Sequence, residues 1–225
     1  MVALREAPLR TKLAGLYALT PDLDDTGKLS SRTAAALSGG ASAIQYRSKM
    51  ASAALMLEQA SALRALCKAR DATFIVNDDV ELARAVGADG VHLGRDDASV
   101  AVARARLGSS AIIGVSCYDS IARAEDAVGA GADYVAFGSF YPSRVKPDAV
   151  RAEPRLISAA KARWPVNVVA IGGITAANAA PLVEAGADAL AVISAVFDAP
   201  DVAAAAHDLV VCFQRRSDRP SSIPE

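Results

Sequence analysis

The phrase Gly40-Ala-Ser-Ala-Ile-Gln-Tyr-Arg returns three times along the chain, as Gly87-Ala-Asp-Gly-Val-His-Leu-Gly, Gly131-Ala-Asp-Tyr-Val-Ala-Phe-Gly and Gly186-Ala-Asp-Ala-Leu-Ala-Val-Ile. Each copy is a glycine, a small residue and then strand-like residues. A helix that stops at a glycine able to take positive φ and passes at once into a strand is what an αβ junction requires. The copies lie 47, 44 and 55 residues apart, about twice the ~20 to 25 residues of one βα unit. A further strand is therefore expected between neighbouring copies. Thr73 to Asp78, Ala111 to Cys117 and Asn167 to Ile174 supply these: they are short, β-branched and bounded by turn residues. Leu13 to Thr20 supplies a first strand.

Between the strands lie Ala-rich, helix-like segments near 29–39, 51–69, 79–87, 98–107, 119–130, 155–163, 176–185 and 201–214. Eight strands thus alternate with eight helices. An open doubly wound sheet also holds such units, but it has no reason to repeat its junction at every second strand to the end of the chain. A single-domain (β/α)8 TIM barrel is the expectation, with residues 1–12 as an N-terminal extension, 13–214 as the barrel and 215–225 as a polar, Pro-containing tail.

The 225 residues are enough to bury a full core. With 24 Lys and Arg against 25 Asp and Glu, the charge balance offers no general grip on nucleic acid or lipid headgroups. No apolar run reaches the ~18 residues of a membrane helix, and Glu6 and Pro8 interrupt the place of a signal peptide's apolar stretch, so a cytoplasmic protein is expected. Cys67, Cys117 and Cys212 are odd in number and lack CxxC spacing, which argues against a disulfide framework or a zinc site. A homo-oligomer remains open, because barrel helices turn apolar stripes to core and partner alike.

In such a barrel the C-terminal strand ends and the loops after them build the site. Alternation in the second strand places Gln45, Arg47 and Lys49 on one face and turns Ile44 and Tyr46 toward the helices. Two cations and an amide presented together suit a diphosphate, although a ladder of salt bridges at the barrel mouth would use the same residues. Asp78 after the third strand and Asp97 after the fourth are close enough by topology to share one hard cation, the usual economy of magnesium. Asp79 and Asp96, each just before a helical segment, are read as N-caps. His92 faces the lumen either as a hydrogen-bonded core residue or as a catalyst. The glycines of Ile171-Gly172-Gly173-Ile174, with Val192-Ile193-Ser194-Ala195 after the eighth strand, form the common phosphate site of these barrels. The loop from Ser139 to Pro154 is the longest; it is either a lid that brings Lys146 to a phosphorylated substrate or an ordinary solvated loop.

Taken together, QYRSK (45–49), NDD (77–79), HLGRDD (92–97), GVS (114–116), YPSRVK (141–146), IGGI (171–174) and VISA (192–195) resemble the thiamine-phosphate synthase family, over residues 13 to 200 or so. The resemblance implies an enzyme that joins a pyrimidine diphosphate to a phosphorylated thiazole, with or without an extra thiazole carboxylate, giving thiamine phosphate and pyrophosphate. Such an enzyme is a transferase of an alkyl, pyrimidinylmethyl group, with magnesium as its implied cofactor. By position, Gln45, Arg47, Lys49 and Asn77 would hold the diphosphate, within a binding stretch that includes Tyr46 and Ser48. Asp78 and Asp97 would hold the metal. Ser116 and Lys146 would contact the pyrimidine or its leaving group and, with Arg47 and Lys49, act in catalysis. Gly173, Ile193 and Ser194 would bind the thiazole phosphate, joined by the loop at Ser143, Arg144 and Val145. Val145 stands where the family usually has a hydroxyl residue, and Ser48 where an acidic one is common. A thiazole tautomerase of the same architecture would need the two phosphate loops and His92 but not the metal pair, and a non-catalytic phosphate-binding barrel is the third reading.

Overall fold

A computed structural model describes residues 13–142 and 150–217, with side chains to Gln214. Eight parallel strands run in chain order: β1 (Gly15–Leu19), β2 (Ala43–Tyr46), β3 (Thr73–Asn77), β4 (Gly90–Leu93), β5 (Ile112–Tyr118), β6 (Tyr134–Phe137), β7 (Asn167–Ile171) and β8 (Ala189–Val192). β1 pairs with β8, from Gly15 opposite Ala189 to Ala18 opposite Val192, so the sheet closes into a barrel and the open-sheet alternative falls. The helices are α1 (Thr26–Ser38), α2 (Ala53–Lys68), α3 (Val80–Ala85), α4 (Val100–Leu107), α5 (Ile121–Gly129), α6 (Arg155–Arg163), α7 (Ala180–Glu184), α8 (Ser194–Phe197) and α9 (Val202–Ser217).

The recurring phrase does what an αβ junction demands. Gly40, Gly87, Gly131 and Gly186 all have positive φ, between 62° and 108°. The aspartate two residues after the glycine then serves the bottom of the barrel. Asp89, Asp133 and Asp188 each accept a backbone N–H from the strand before, at Phe74, Ile113 and Val168, at 2.7 to 2.8 Å. Each also pairs with a cation from a helix: Arg64, Arg104 and Lys161. In the first copy Ser42 takes this place, donating to the Ala14 carbonyl. A repeated polar clamp thus ties neighbouring strands together in pairs at the end away from the chemistry, where a barrel's side chains serve stability.

Alternation sorts the strand residues into two cores. Ile44, Tyr46, Phe74, Val91, Val135 and Leu190 face the helices in the outer core. Tyr17, Leu19, Ala43, Ile75, Tyr134, Ala136, Val169 and Ala191 fill the lumen. Two tyrosines at mid-lumen need space, and Gly114 on β5 supplies it: a Cβ there would lie 1.9 Å from Tyr134 Cζ.

Several boundaries differ from the sequence reading. β7 stops at Ile171 because Gly172 and Gly173 turn to φ of 103° and 64°. The expected helix from 176 begins only at Ala180, since Thr175 N–H donates to Asn178 Oδ1 in a turn before it. Asp79 caps α3 through the Leu82 N–H at 2.8 Å, as expected, but Asp96 caps nothing: Ser99 caps α4 instead, because the helix starts at Val100. α9 runs three residues past the expected end at 214. The short α8 directly after β8 was not anticipated, being a single turn with too few residues to show a period.

Candidate active site

A cavity of about 870 Å3 opens at the C-terminal end of the barrel. Closed strand order sets β2 to β4 against β7 and β8 across it. On the first side Gln45, Arg47 and Asn77 line the wall; on the other stand Gly172, Gly173, Ile193 and Ser194, and Ser116 and Gly138 lie between.

Thr20, one residue past β1, fixes the end of β2: its Oγ accepts the Arg47 N–H at 2.9 Å and donates to the Arg47 carbonyl at 3.1 Å. Asp22 then takes the Lys49 N–H at 2.6 Å and stands 3.5 Å from the Arg47 guanidinium. Among the described residues, the salt-bridge ladder considered above reduces to this one long contact for Arg47. Lys49 is exposed at the rim, outside the cavity wall, as is half-buried Ser48, whose hydroxyl accepts the Ala51 N–H at 3.3 Å.

Tyr46 requires a correction. Its ring is buried in the outer core and its hydroxyl donates to Gln59 Oε1 of α2 at 2.8 Å, so the side chain cannot contact a guest in the cavity. Strand alternation alone places it there. Tyr46→Phe removes the donor to a buried amide oxygen. It is expected to cost about 1–3 kcal/mol of stability in a denaturant titration, while leaving substrate KM values unchanged.

Asp78 and Asp97 do converge. The Asp78 backbone sits at φ 64° with its N–H bonded to the His92 carbonyl at 2.8 Å, which ties the end of β3 to β4. Asp97, in the loop after β4, accepts the Gly94 N–H at 2.6 Å. Although Asp78 as a residue is exposed, protein crowding around its carboxyl raises the pKa from 3.8 to about 6, helped by the hydrogen bond and charge of Asp97 and opposed by Arg47. Two carboxylates so placed are short of positive charge, which fits a divalent cation. No third His, Cys, Asp or Glu joins them among the described residues, so most of a magnesium shell would be water and phosphate oxygen, as that ion prefers.

A hydrogen-bonded chain crosses the lumen at the floor of the cavity, which all its members but Tyr134 line. Gln45 Nε2 donates to Tyr17 Oη at 2.7 Å; Tyr17 Oη lies 3.1 Å from Tyr134 Oη; Tyr134 Oη lies 2.9 Å from His92 Nδ1; and His92 Nε2 lies 2.8 Å from Ser116 Oγ. Burial pushes both phenols above their usual pKa, so both keep their hydrogens. His92 thus has both ring nitrogens engaged and also lines the cavity. The tyrosines were missed in the sequence because an aromatic in an apolar strand reads as core, which these also are.

On the far side the glycines have a packing reason as well as an anion-binding one. A Cβ on Gly172 would meet Ser139 Oγ at 2.1 Å, and one on Gly173 would meet the Pro142 carbonyl at 2.4 Å. The stem of the long loop is fastened there: Tyr141 N–H to the Gly172 carbonyl at 3.0 Å, Tyr141 Oη to the Asn178 carbonyl at 2.7 Å, and Ala152 N–H to the Ser139 carbonyl at 2.9 Å. Ser143, Arg144, Val145 and Lys146 lie outside the described residues; the flanking Pro142 and Val150 both border the cavity. Ser194 opens α8, leaving first-turn N–H groups toward the cavity. At the rim β5 bulges against β6 between Ser116 and Tyr118, which re-aims the Tyr118 ring between the guanidinium groups of Arg95 and Arg123, 4.9 and 5.5 Å from its centre. Arg95 lies within the HLGRDD phrase but was given no role there, and Asp22 carries no pattern in the sequence that would have marked it.

Comparison with known proteins agrees with this geometry. Residues 16–196 match the family model described as thiamine monophosphate synthase. The chain is 57% identical over 205 residues to the thiamine-phosphate synthase of Chromobacterium violaceum, covering 91% of this chain and 99% of that protein. It is 56% identical over 201 residues to that of Thiobacillus denitrificans, covering 89% and 95%. Among solved structures, the thiamine phosphate pyrophosphorylase from Pyrococcus furiosus superposes with a TM-score of 0.80 at 37% identity, covering 92% of this chain and 98% of that one. With the match spanning β1 to α8 and both walls of the cavity, the chain belongs to the thiamine-phosphate synthase family.

Proposed function

We propose that the barrel mouth transfers a pyrimidinylmethyl group from its diphosphate to the nitrogen of a phosphorylated thiazole, releasing pyrophosphate and giving thiamine phosphate. The observation that carries this reading is the placement of two walls suited to anions across one cavity, Arg47 and Asn77 near the Asp78–Asp97 pair on one side and Gly173 with Ser194 on the other. A tautomerase acting on the thiazole phosphate alone has no use for the first, and a simple phosphate binder has no use for two.

The diphosphate sits against Arg47 and Asn77, where a bidentate guanidinium and a neutral amide meet its oxygens. Asp78 and Asp97 would hold magnesium, which would supply positive charge to the departing pyrophosphate. Gln45 and Ser116 orient the aminopyrimidine from the cavity floor. The bond between the methylene carbon and the diphosphate oxygen breaks with both electrons leaving on oxygen. The ring stabilises the methylene cation, and the thiazole nitrogen donates its lone pair to form the new C–N bond. No protein nucleophile is consumed. The rate comes from charge placed in advance around the leaving group and from the thiazole's phosphate tether, held by Gly173 and the opening turn of α8, which sets the nitrogen in line. Lys49 at the rim and Lys146 and Ser143 from the long loop add charge and hydrogen bonds to the same two anions.

A pyrophosphate-release assay tests this. Release is expected only when both the pyrimidine diphosphate and the thiazole phosphate are present with magnesium. Full release in chelator would refute the metal assignment, and absence of coupled product would refute the transfer.

A further inference from the structure

We infer that the buried chain from Gln45 through Tyr17, Tyr134 and His92 to Ser116 has a fixed hydrogen-bond direction, and that this direction makes Ser116 a donor and Gln45 Oε1 an acceptor toward the bound pyrimidine. Each link follows from the Gln45 amide nitrogen lying toward Tyr17. Tyr17 Oη receives the Gln45 amide N–H, and among the described residues its own hydrogen has one neighbouring acceptor, Tyr134 Oη. Tyr134, its oxygen now occupied, spends its hydrogen on His92 Nδ1. A ring nitrogen that accepts leaves the imidazole hydrogen on the other, so Nε2 donates to Ser116 Oγ. The Ser116 hydroxyl then turns its hydrogen into the cavity, which the residue lines.

With the Gln45 amide nitrogen turned to Tyr17, the opposite sense would need Tyr134 to donate to Tyr17 while Gln45 also donates there. The buried Tyr17 hydrogen would then be left without an acceptor, a costly arrangement in the lumen. At the other end, Gln45 Oε1 accepts from no described group and faces the same cavity. The chain therefore presents an acceptor on β2 and a donor on β5, the complement of an amino group on one edge of a heterocycle and a ring nitrogen or ester oxygen on another. Tyr134 does not line the cavity and acts only through its neighbours, as a positioning residue, whereas Tyr17 and His92 pass on the direction from the cavity wall itself. Gly114, by making room for the Tyr134 ring, is part of the same device.

The direction can be read in the ligand-free protein, independently of the function proposed above. The chain has two histidines, and His207 is exposed on α9, so a His207→Gln variant assigns the signals. Proton–nitrogen multiple-bond correlation spectra of protein labelled with 15N-histidine should show His92 as one neutral tautomer with its hydrogen on Nε2. A hydrogen on Nδ1, an even mixture or a doubly protonated ring at neutral pH would overturn the assigned direction. Gln45→Glu, whose carboxylate accepts from Tyr17, should reverse every link and move the hydrogen to Nδ1; an unchanged Nε2 tautomer with the glutamate ionised would count against the relay. The catalytic consequence rests on the synthase reading. Tyr134→Phe keeps the ring that packs on Gly114, and is expected to lower kcat at least about tenfold while leaving KM for the thiazole phosphate unchanged. In a Ser116→Ala background the same change should add nothing, because its effect passes through Ser116; a further loss there would overturn the role given to the chain.

Discussion

Asp78→Asn is expected to lower turnover by about a thousandfold and to abolish the response to magnesium, since one carboxylate of a two-carboxylate site disappears while the cavity keeps its shape. Asparagine is the informative replacement. Asp78 sits at φ 64°, a conformation that asparagine tolerates and alanine resists, so the loss can be charged to the carboxylate and not to the backbone. The hydrogen bond and charge of Asp97 help to hold the Asp78 carboxyl above its usual pKa, so removing one acid also relieves the repulsion on the other. Rates measured across a magnesium titration decide the matter, and a variant that turns over normally in chelator would remove the pair from the reaction.

Gly114→Ala should have the larger effect on folding. The added methyl would sit 1.9 to 2.4 Å from three atoms of the Tyr134 ring, which is fully buried and hydrogen-bonded on both sides. Overpacking of this kind costs about 3 kcal/mol, a fall in Tm of roughly 6–12 °C for a chain of this size. Activity should fall with it, because a displaced ring breaks the link to Ser116. Gly129→Ala is the control: it ends α5 with nothing within 4 Å and should leave Tm unchanged or slightly raised. A thermal melt of the two variants separates crowding in the lumen from any general intolerance of replacement.

The barrel was legible because its units repeat. The junction glycines at 40, 87, 131 and 186 betray the period, and the same alternation that builds β2 correctly separates Gln45 from Tyr46. The aspartates at 89, 133 and 188 were in view in the repeat, yet their part in tying strand to strand depends on cations brought from helices 25 to 29 residues away. Asp78 and Asp97 were legible as a pair because neighbouring strands end side by side. The lumen chain was not. Its five members come from five strands, and nothing in the local sequence distinguishes a tyrosine that merely fills space from one that also passes on a hydrogen bond. Asp22 escaped for a related reason, since its work is done on the backbone of Lys49 and the guanidinium of Arg47, contacts that exist only once β1 and β2 are side by side.

The pairing of Gly15 through Ala18 with Ala189 through Val192 has a consequence for biosynthesis. The first strand leaves the ribosome long before its second neighbour exists, so throughout translation one of its edges carries backbone groups with no ladder to join. Chain growth must deliver β8 before the staves meet, and a nascent chain halted short of residue 189 would hold a half-dressed first strand.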